Sequence, residues 1–318
     1  MSFKQIIGQK TAIKTLTQAV RNRRLPHAYL FSGPQGVGKS LAARQLAKVL
    51  NCQEKGPDCC DVCSQCRKID SFNHPDVRYI KPFENSTKIK IEQIRRLKQT
   101  VNLKPYEADL KIWIVLDADS MTEEAADGFL KTLEEPPGRS LLILVCSNLS
   151  LLLPTIISRC QIVQFEALSF KRLKEFLSDS YGLEDRKAHF LTALSDGSPG
   201  KAIDLKETNI FNTRDEIMDW IIGGFDGNQS AWVDAPYSVI DIKLDIIISL
   251  YRDILMLHEG SPFLVNIDKE KQLKDLKNRY SADGLIKIIE KINQIKHLIH
   301  QNVNRKIALE VMAQEING

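Results

Sequence analysis

Short apolar runs alternate with helix-spaced patterns through the first half of this chain, and that alternation predicts a parallel α/β sheet. Ala28-Tyr29-Leu30-Phe31 reads as a buried strand running into a glycine-rich turn. A helix follows over Ser40–Leu50, spaced by Leu41, Ala42, Leu46 and Leu50. Val77–Ile80 is a short strand, and Ile91, Ile94, Leu97 and Val101 mark one face of an amphipathic helix. Ile112–Leu116 is a second continuous apolar run and ends at an acidic residue. The spacing then predicts a helix over Glu123–Leu133, stopped by Pro136-Pro137. Leu141–Val145 and Ile162–Phe165 complete the strands.

Strand signals nearly vanish after Phe165. Ser169–Leu177 reads as a short helix with Ser169 as N-cap, followed by Arg186–Leu194 and a break at Asp196-Gly197-Ser198-Pro199-Gly200. Longer helical patterns come next. One covers Tyr237–His258, and another carries the stripe Leu285, Ile288, Ile289, Ile292, Ile295 and Ile299. Asp226–Ser230 is a loop between them and the preceding region. The predicted order is an α/β domain over residues 1–165, a small helical domain over 166–208 and an all-α region over 209–318.

Composition supports several domains rather than one. A chain of 318 residues exceeds what a single core usually serves. With 43% hydrophobic and 26% charged residues, disordered and fibrous classes are excluded. The longest apolar stretch, Leu141–Cys146, is too short to span a bilayer, and Met1–Gln5 opens no secretory signal, so a cytoplasmic protein is expected. The net charge of +4 permits nucleic acid without requiring it.

Gly33-Pro34-Gln35-Gly36-Val37-Gly38-Lys39-Ser40 fits G-x-x-x-x-G-K-[ST] and falls between a strand and a helix, where that motif must lie. The glycines, Gly33, Gly36 and Gly38, let backbone N–H groups turn inward on phosphate oxygens at the positive end of the helix. Lys39 would reach the β- and γ-phosphates of ATP and Ser40 would ligate Mg²⁺. Hydrolysis needs more. The strand ending Val115-Leu116-Asp117-Ala118-Asp119 carries leucine where the first of two adjacent acids would stand, leaving Asp117 as a weakened catalytic candidate. Asp117 and Asp119 also read simply as solvated residues at a strand end.

Five of the seven cysteines fall between positions 52 and 66. In a reducing compartment such clustering points to metal before disulfide. Cys52, Cys60, Cys63 and Cys66 supply four thiolates for a tetrahedral, closed and therefore structural Zn²⁺ site. Cys59 is an alternative to Cys60, and an iron–sulfur cluster is the competing reading of four thiolates. Cys146 and Cys160 read as buried thiols.

Further stretches bring a family into view. They are Ile6-Ile7-Gly8-Gln9, Leu25–Phe31 leading into the phosphate loop, the cysteine insertion, His74-Pro75-Asp76-Val77, Leu130–Pro137 and Ser158-Arg159-Cys160, with Asn302–Ile307 near the end. In this order they resemble the AAA+ clamp-loader subunits of bacterial DNA polymerase III, the delta-prime type most closely and the gamma/tau type next. The resemblance implies an α/β P-loop AAA+ domain with a small zinc module, a helical lid and an all-α collar. It implies a hetero-pentamer with gamma/tau and delta subunits that loads a sliding clamp onto primed DNA, with no membrane role. Arg159 would be an arginine finger, acting in trans on a neighbour's ATP. Asn148 or Ser147 would sense the γ-phosphate, or either is an ordinary loop residue.

Three departures bear on activity. Leu116 stands where the motor subunits hold a Mg²⁺-binding acid, Gly200-Lys201 where they hold a lid arginine, and Asp127-Gly128-Phe129 replaces Asn-Ala-Leu. The first two favour a delta-prime-like subunit with little ATPase of its own over an active gamma/tau-type motor. A generic zinc-stabilised DNA-binding protein stays open as a third reading. Basic clusters at Arg21, Arg23, Arg24 and at Arg95, Arg96, Lys98 suit either DNA contact or an ordinary solvated face.

Overall fold

The computed structural model describes residues 3–317 apart from 57, 84–85, 102, 136–139, 224–231, 233–234 and 301–302. The expected helix stop at Pro136-Pro137, the loop at Asp226–Ser230 and Asn302 therefore lie outside the described residues. By its internal contacts the chain divides into two compact units, Met1–Leu168 with Ser198–Gly200, and Ser169–Gly197 with Lys201–Gly318.

The first unit is built on a five-stranded, all-parallel sheet of β1 (Ala28–Ser32), β2 (Val77–Ile80), β3 (Lys111–Val115), β4 (Ser140–Cys146) and β5 (Gln161–Gln164), ordered β2-β3-β4-β1-β5. Its helices are α1 (Lys10–Arg21), α2 (Lys39–Asn51), α3 (Ser64–Asp70), α4 (Ile91–Val101), α5 (Glu123–Glu134) and the single turn α6 (Pro154–Ile157). Every residue of β1 and β3 is buried, because helices cover both faces and strand alternation feeds two cores. Tyr29, Phe31, Ile112 and Ile114 pack with Leu16, Ala42 and Leu46 of α1 and α2. Leu30, Trp113 and Val115 pack on the other side with Ile94, Leu97 and Phe129 of α4 and α5.

A parallel sheet collects the ends of its strands on one rim, and ligands bind there. Here the rim holds the turn after β1, the Leu116–Asp119 segment after β3 and Ser147-Asn148 after β4. The candidate residues far apart in sequence are thus brought to one edge by topology alone.

The second unit is helical: α7 (Phe170–Tyr181), α8 (Asp185–Leu194), α9 (Pro199–Glu207, whose first residues belong to the first unit), α10 (Ile210–Gly223), α11 (Tyr237–His258), α12 (Glu270–Lys277), α13 (Ala282–His300) and α14 (Arg305–Asn317). The predicted stripe on α13 is the buried one, with Leu285, Ile292, Ile295 and Ile299 inside and Ile289 half-buried. Asp253, fully buried on α11, accepts from Val265 N and Asn266 N at 2.8 and 2.6 Å and so fixes the chain after that helix. The break expected at 196–200 is shorter than its composition suggests, since Pro199 already opens α9, where proline is preorganised for a first helical turn.

Candidate functional site

The turn between β1 and α2 has the backbone a phosphate loop needs. Gly33, Gly36 and Gly38 have φ of 147°, 74° and 101°, which a side chain would strain. Gly33 is further constrained from outside, since a Cβ there would drive into the Phe165 carbonyl. Gly33→Ala is expected to cost more than about 1 kcal/mol of stability, read as a lowered denaturant midpoint. An unchanged midpoint would mean that the loop is not held as described.

Lys39 is 5% exposed and its ammonium donates to the carbonyls of Gly33 and Pro34, both at 2.5 Å. Burial pulls its pKa below the ordinary lysine range, while the carboxylates of Asp119 and Asp117 act in the other direction. Ser40 is exposed one residue into α2. The segment Ser198–Gly200 lies against the loop: Gly200 N donates to Gly36 O at 2.9 Å, and a Cβ on Gly200 would come within 2.9 Å of Gly36 Cα. Lys201, in the second unit, faces Asp196 and Asp245 there, at 3.5 and 3.9 Å.

After β3, Leu116 packs against the core beside α2, so no carboxylate stands at that position. Asp117 has a left-handed backbone (φ 51°), and burial, aided by Asp119, raises its pKa. Asp119 accepts from Ser147 N and Asn148 N at 3.0 and 2.8 Å, tying the segment after β3 to the end of β4. Asn148 turns its Oδ1 to Ser150 N and Oγ at 3.0 and 2.6 Å, so its side chain caps the short turn that follows. Sequence spacing singled out Asp119 only as a neighbour of Asp117; its hold on the β4 loop has no local sequence signal.

Arg159 follows α6. Its guanidinium donates to Thr155 O at 3.0 Å and to Glu134 Oε1, at the end of α5, at 2.9 Å. No acid lies near Arg159 in sequence, yet the fold supplies one from 25 positions upstream. Both side chains remain substantially exposed, at 35% and 49%.

The cysteine cluster sits where α2 ends and α3 begins. Cys52 follows α2, Cys60 lies in the intervening loop, Cys63 is the N-cap of α3 and Cys66 is in its first turn. The four sulfurs lie within 4.8 Å of one another. A tetrahedral Zn²⁺ with bonds of about 2.3 Å requires sulfurs roughly 3.8 Å apart, so the donor set fits that ion. Backbone N–H groups of Cys60, Cys63 and Cys66 point at Cys52 Sγ, Cys60 Sγ and Cys63 Sγ at 3.3, 3.3 and 3.5 Å. Burial pushes Cys63 up, but the N–H groups of Gln53 and Cys66 outweigh it and bring the thiol to about 6. Cys59 is outside the quartet, its Sγ turned to Gln45 Oε1 and Asp61 Oδ1 at 3.5 and 3.4 Å. A buried lysine of α2, Lys48, anchors the loop through Asp61 and, at 2.6 Å, through Asp70 of α3. Cys160 is a shielded thiol pushed by burial to about 12.

A family model described as "DNA polymerase III, delta subunit" matches residues 8–169, and one described as "DNA polymerase III, delta subunit, C terminal" matches residues 239–317. The chain is 29% identical over 323 aligned positions to DNA polymerase III subunit delta' of Bacillus subtilis (strain 168), covering 96% of each. It is 30% identical over 214 positions to subunit tau of the same organism, covering 65% of this chain and 38% of that one. A solved gamma-subunit-related protein of Thermotoga maritima aligns over 96% of this chain and 98% of its own at 17% identity and TM-score 0.47.

Proposed function

This chain belongs to the DNA polymerase III delta-subunit family, and from that premise we propose that it is a delta-prime-type clamp-loader subunit. It binds ATP without turning it over efficiently, and donates Arg159 to a neighbouring subunit's nucleotide. The observation that carries this reading is the complete phosphate loop, Gly33–Ser40, beside a strand end where the half-buried Leu116 packs against the core in place of an acid. Binding and hydrolysis are thereby separated in one site.

The residues fit a nucleotide in the following way. Lys39 exchanges the carbonyls of Gly33 and Pro34 for the β- and γ-phosphates, and the Ser40 hydroxyl is the protein ligand for Mg²⁺. Asp117 has leucine, not a second acid, as its neighbour at position 116, and so would hold a metal without the usual adjacent partner. Asn148 joins the γ-phosphate only by giving up its contacts to Ser150. The cysteine quartet holds Zn²⁺ as a structural ion. Residues 1–165 form the nucleotide domain, 166–208 a lid and 209–318 a collar through which the subunits assemble. The partners are gamma/tau and delta subunits, the sliding clamp and primed DNA, in the cytoplasm. No helix among the described residues is long and apolar enough to cross a membrane.

The isolated protein is expected to bind ATP in an equilibrium titration and to show only background phosphate release, with or without primed DNA. DNA-stimulated turnover by the isolated chain would overturn this reading and establish the gamma/tau-type motor, which the intact phosphate loop favours.

A further inference from the structure

Gly36 and Val37 stand in the middle of the phosphate loop, and the carbonyl of each is tied from outside it. Gly36 O accepts from Gly200 N at 2.9 Å, and Val37 O from Gln9 Nε2 at a longer 3.4 Å. Both ties lie within the first unit, which includes Ser198–Gly200. In a trans peptide the carbonyl and the N–H that follows it point in opposite directions. Drawing Gly36 O toward Gly200 therefore turns Val37 N–H to the other side of the chain, and holding Val37 O does the same for Gly38 N–H. Inward-facing N–H groups at the start of a helix are the donors that a phosphate cradle uses.

Neither tie is a by-product of local structure. Gln9 is the N-cap of α1 yet makes no cap bond to its own helix. Its buried amide is fixed by Glu166 instead, accepting from Glu166 N at 3.0 Å and donating to Glu166 O at 2.7 Å. So anchored, the amide nitrogen has a second hydrogen for Val37. Gly200 lies in the first turn of α9, where N–H groups have no partner inside the helix, and it offers its own to Gly36. Space rather than conformation requires glycine there. A Cβ would come within 2.9 Å of Gly36 Cα and O, backbone atoms that cannot swing aside as the end of a side chain would.

We propose that Gly200 and Gln9 are positioning residues for phosphate binding. They hold two loop carbonyls outward, so that Val37 N–H and Gly38 N–H face the phosphate chain before a nucleotide arrives. The inference rests on Gly33–Ser40 being an ATP site, and it adds how that site is preset. Donors already in place cost less ordering on binding, and hydrogen bonds to a charged acceptor are the strong ones.

The test titrates the full chain with Mg²⁺–ATP and with inorganic triphosphate, and follows amide exchange by NMR. Triphosphate should slow exchange at Val37 and Gly38 in the parent. Gly200→Ala should bind both ligands about tenfold more weakly and lose that protection. Gln9→Met, which removes the longer tie, should shift both readouts in the same direction by a smaller factor. The exchange measurement on the parent keeps the result decisive if either variant misfolds. Triphosphate affinity within about twofold of the parent in Gly200→Ala would overturn the proposal. So would a Gly200→Ala protein that is less stable but still protects both amides, because that is a packing role only. A parent that binds triphosphate while leaving Val37 and Gly38 unprotected overturns this inference alone. A parent that binds neither ligand removes the ATP site and this inference with it.

Discussion

Replacing Arg159 with alanine is expected to lower the ATPase of the reconstituted loader by about a hundredfold or more, without loss of assembly. An arginine supplied in trans stabilises charge developing on the transferred phosphoryl group, and a hundredfold corresponds to about 2.7 kcal/mol of barrier. In this chain the guanidinium is parked on Glu134, with both partners well exposed. Such a pair is worth about 0–1 kcal/mol, so exchanging it for a triphosphate is an easy trade. Glu134→Gln should therefore leave stability within about 0.5 kcal/mol and turnover within a few-fold. Arg159→Lys should resemble the alanine variant more than the parent, because an ammonium cannot form the two-pronged contact of a guanidinium. Steady-state phosphate release, with assembly followed by size-exclusion chromatography, reads all three. Unchanged turnover in Arg159→Ala would remove the finger role and leave Arg159 as half of a surface ion pair.

The contrast between Arg159 and Lys39 shows which parts of the site are written locally. Lys39 belongs to a motif whose glycines, strand and helix are contiguous, so its place was readable from eight residues in a row. The acid that meets Arg159 is carried on α5, and only the tertiary fold brings it there. Asp119 is similar: its partners are backbone N–H groups after β4, which have no sequence identity to recognise. Strands read well where burial on both faces makes a continuous apolar run, as in β1, β3 and β4. Helices read well where one apolar stripe dominates, as on α4 and α13, which keep their expected positions. Short or evenly apolar helices gave no readable stripe, among them α3, α10 and α14. The first is seven residues long with two cysteines nearby or within it, and α10 and α14 carry apolar residues spread around the helix rather than along one face. The choice between Cys59 and Cys60 has no local sequence signal either. Spacing permits both, whereas the fold sends Cys59 toward Gln45.

Removing the metal from the cysteine quartet should have the largest effect on stability. Protein purified without chelator is expected to carry about one zinc per chain, and Cys66→Ala to lose it and melt on the order of 10 °C lower. The size follows from geometry. Cys66 is fully buried, and the loop from Cys52 to Cys66 has few apolar residues of its own to replace four metal–sulfur bonds. Without the ion, the four sulfurs within 4.8 Å of one another lose the cation that joins them, and Cys63, whose thiol is lowered to about 6, becomes a thiolate with no metal beside it. The damage should nevertheless stay local. Lys48 still clamps Asp61 and Asp70, and α2 keeps Ala42, Ala43, Leu46 and Ala47 in the main core. Amide exchange should therefore accelerate in the loop and α3, while ATP affinity at the far end of α2 stays within about twofold. Acid should mimic the mutation, because protons compete with the metal for thiolates; occupancy falls as pH is lowered, and raising the pH with added zinc restores it. Metal analysis finding no zinc would defeat the assignment, iron with acid-labile sulfide would replace it with a cluster, and global unfolding of Cys66→Ala would show that the module supports the whole nucleotide domain.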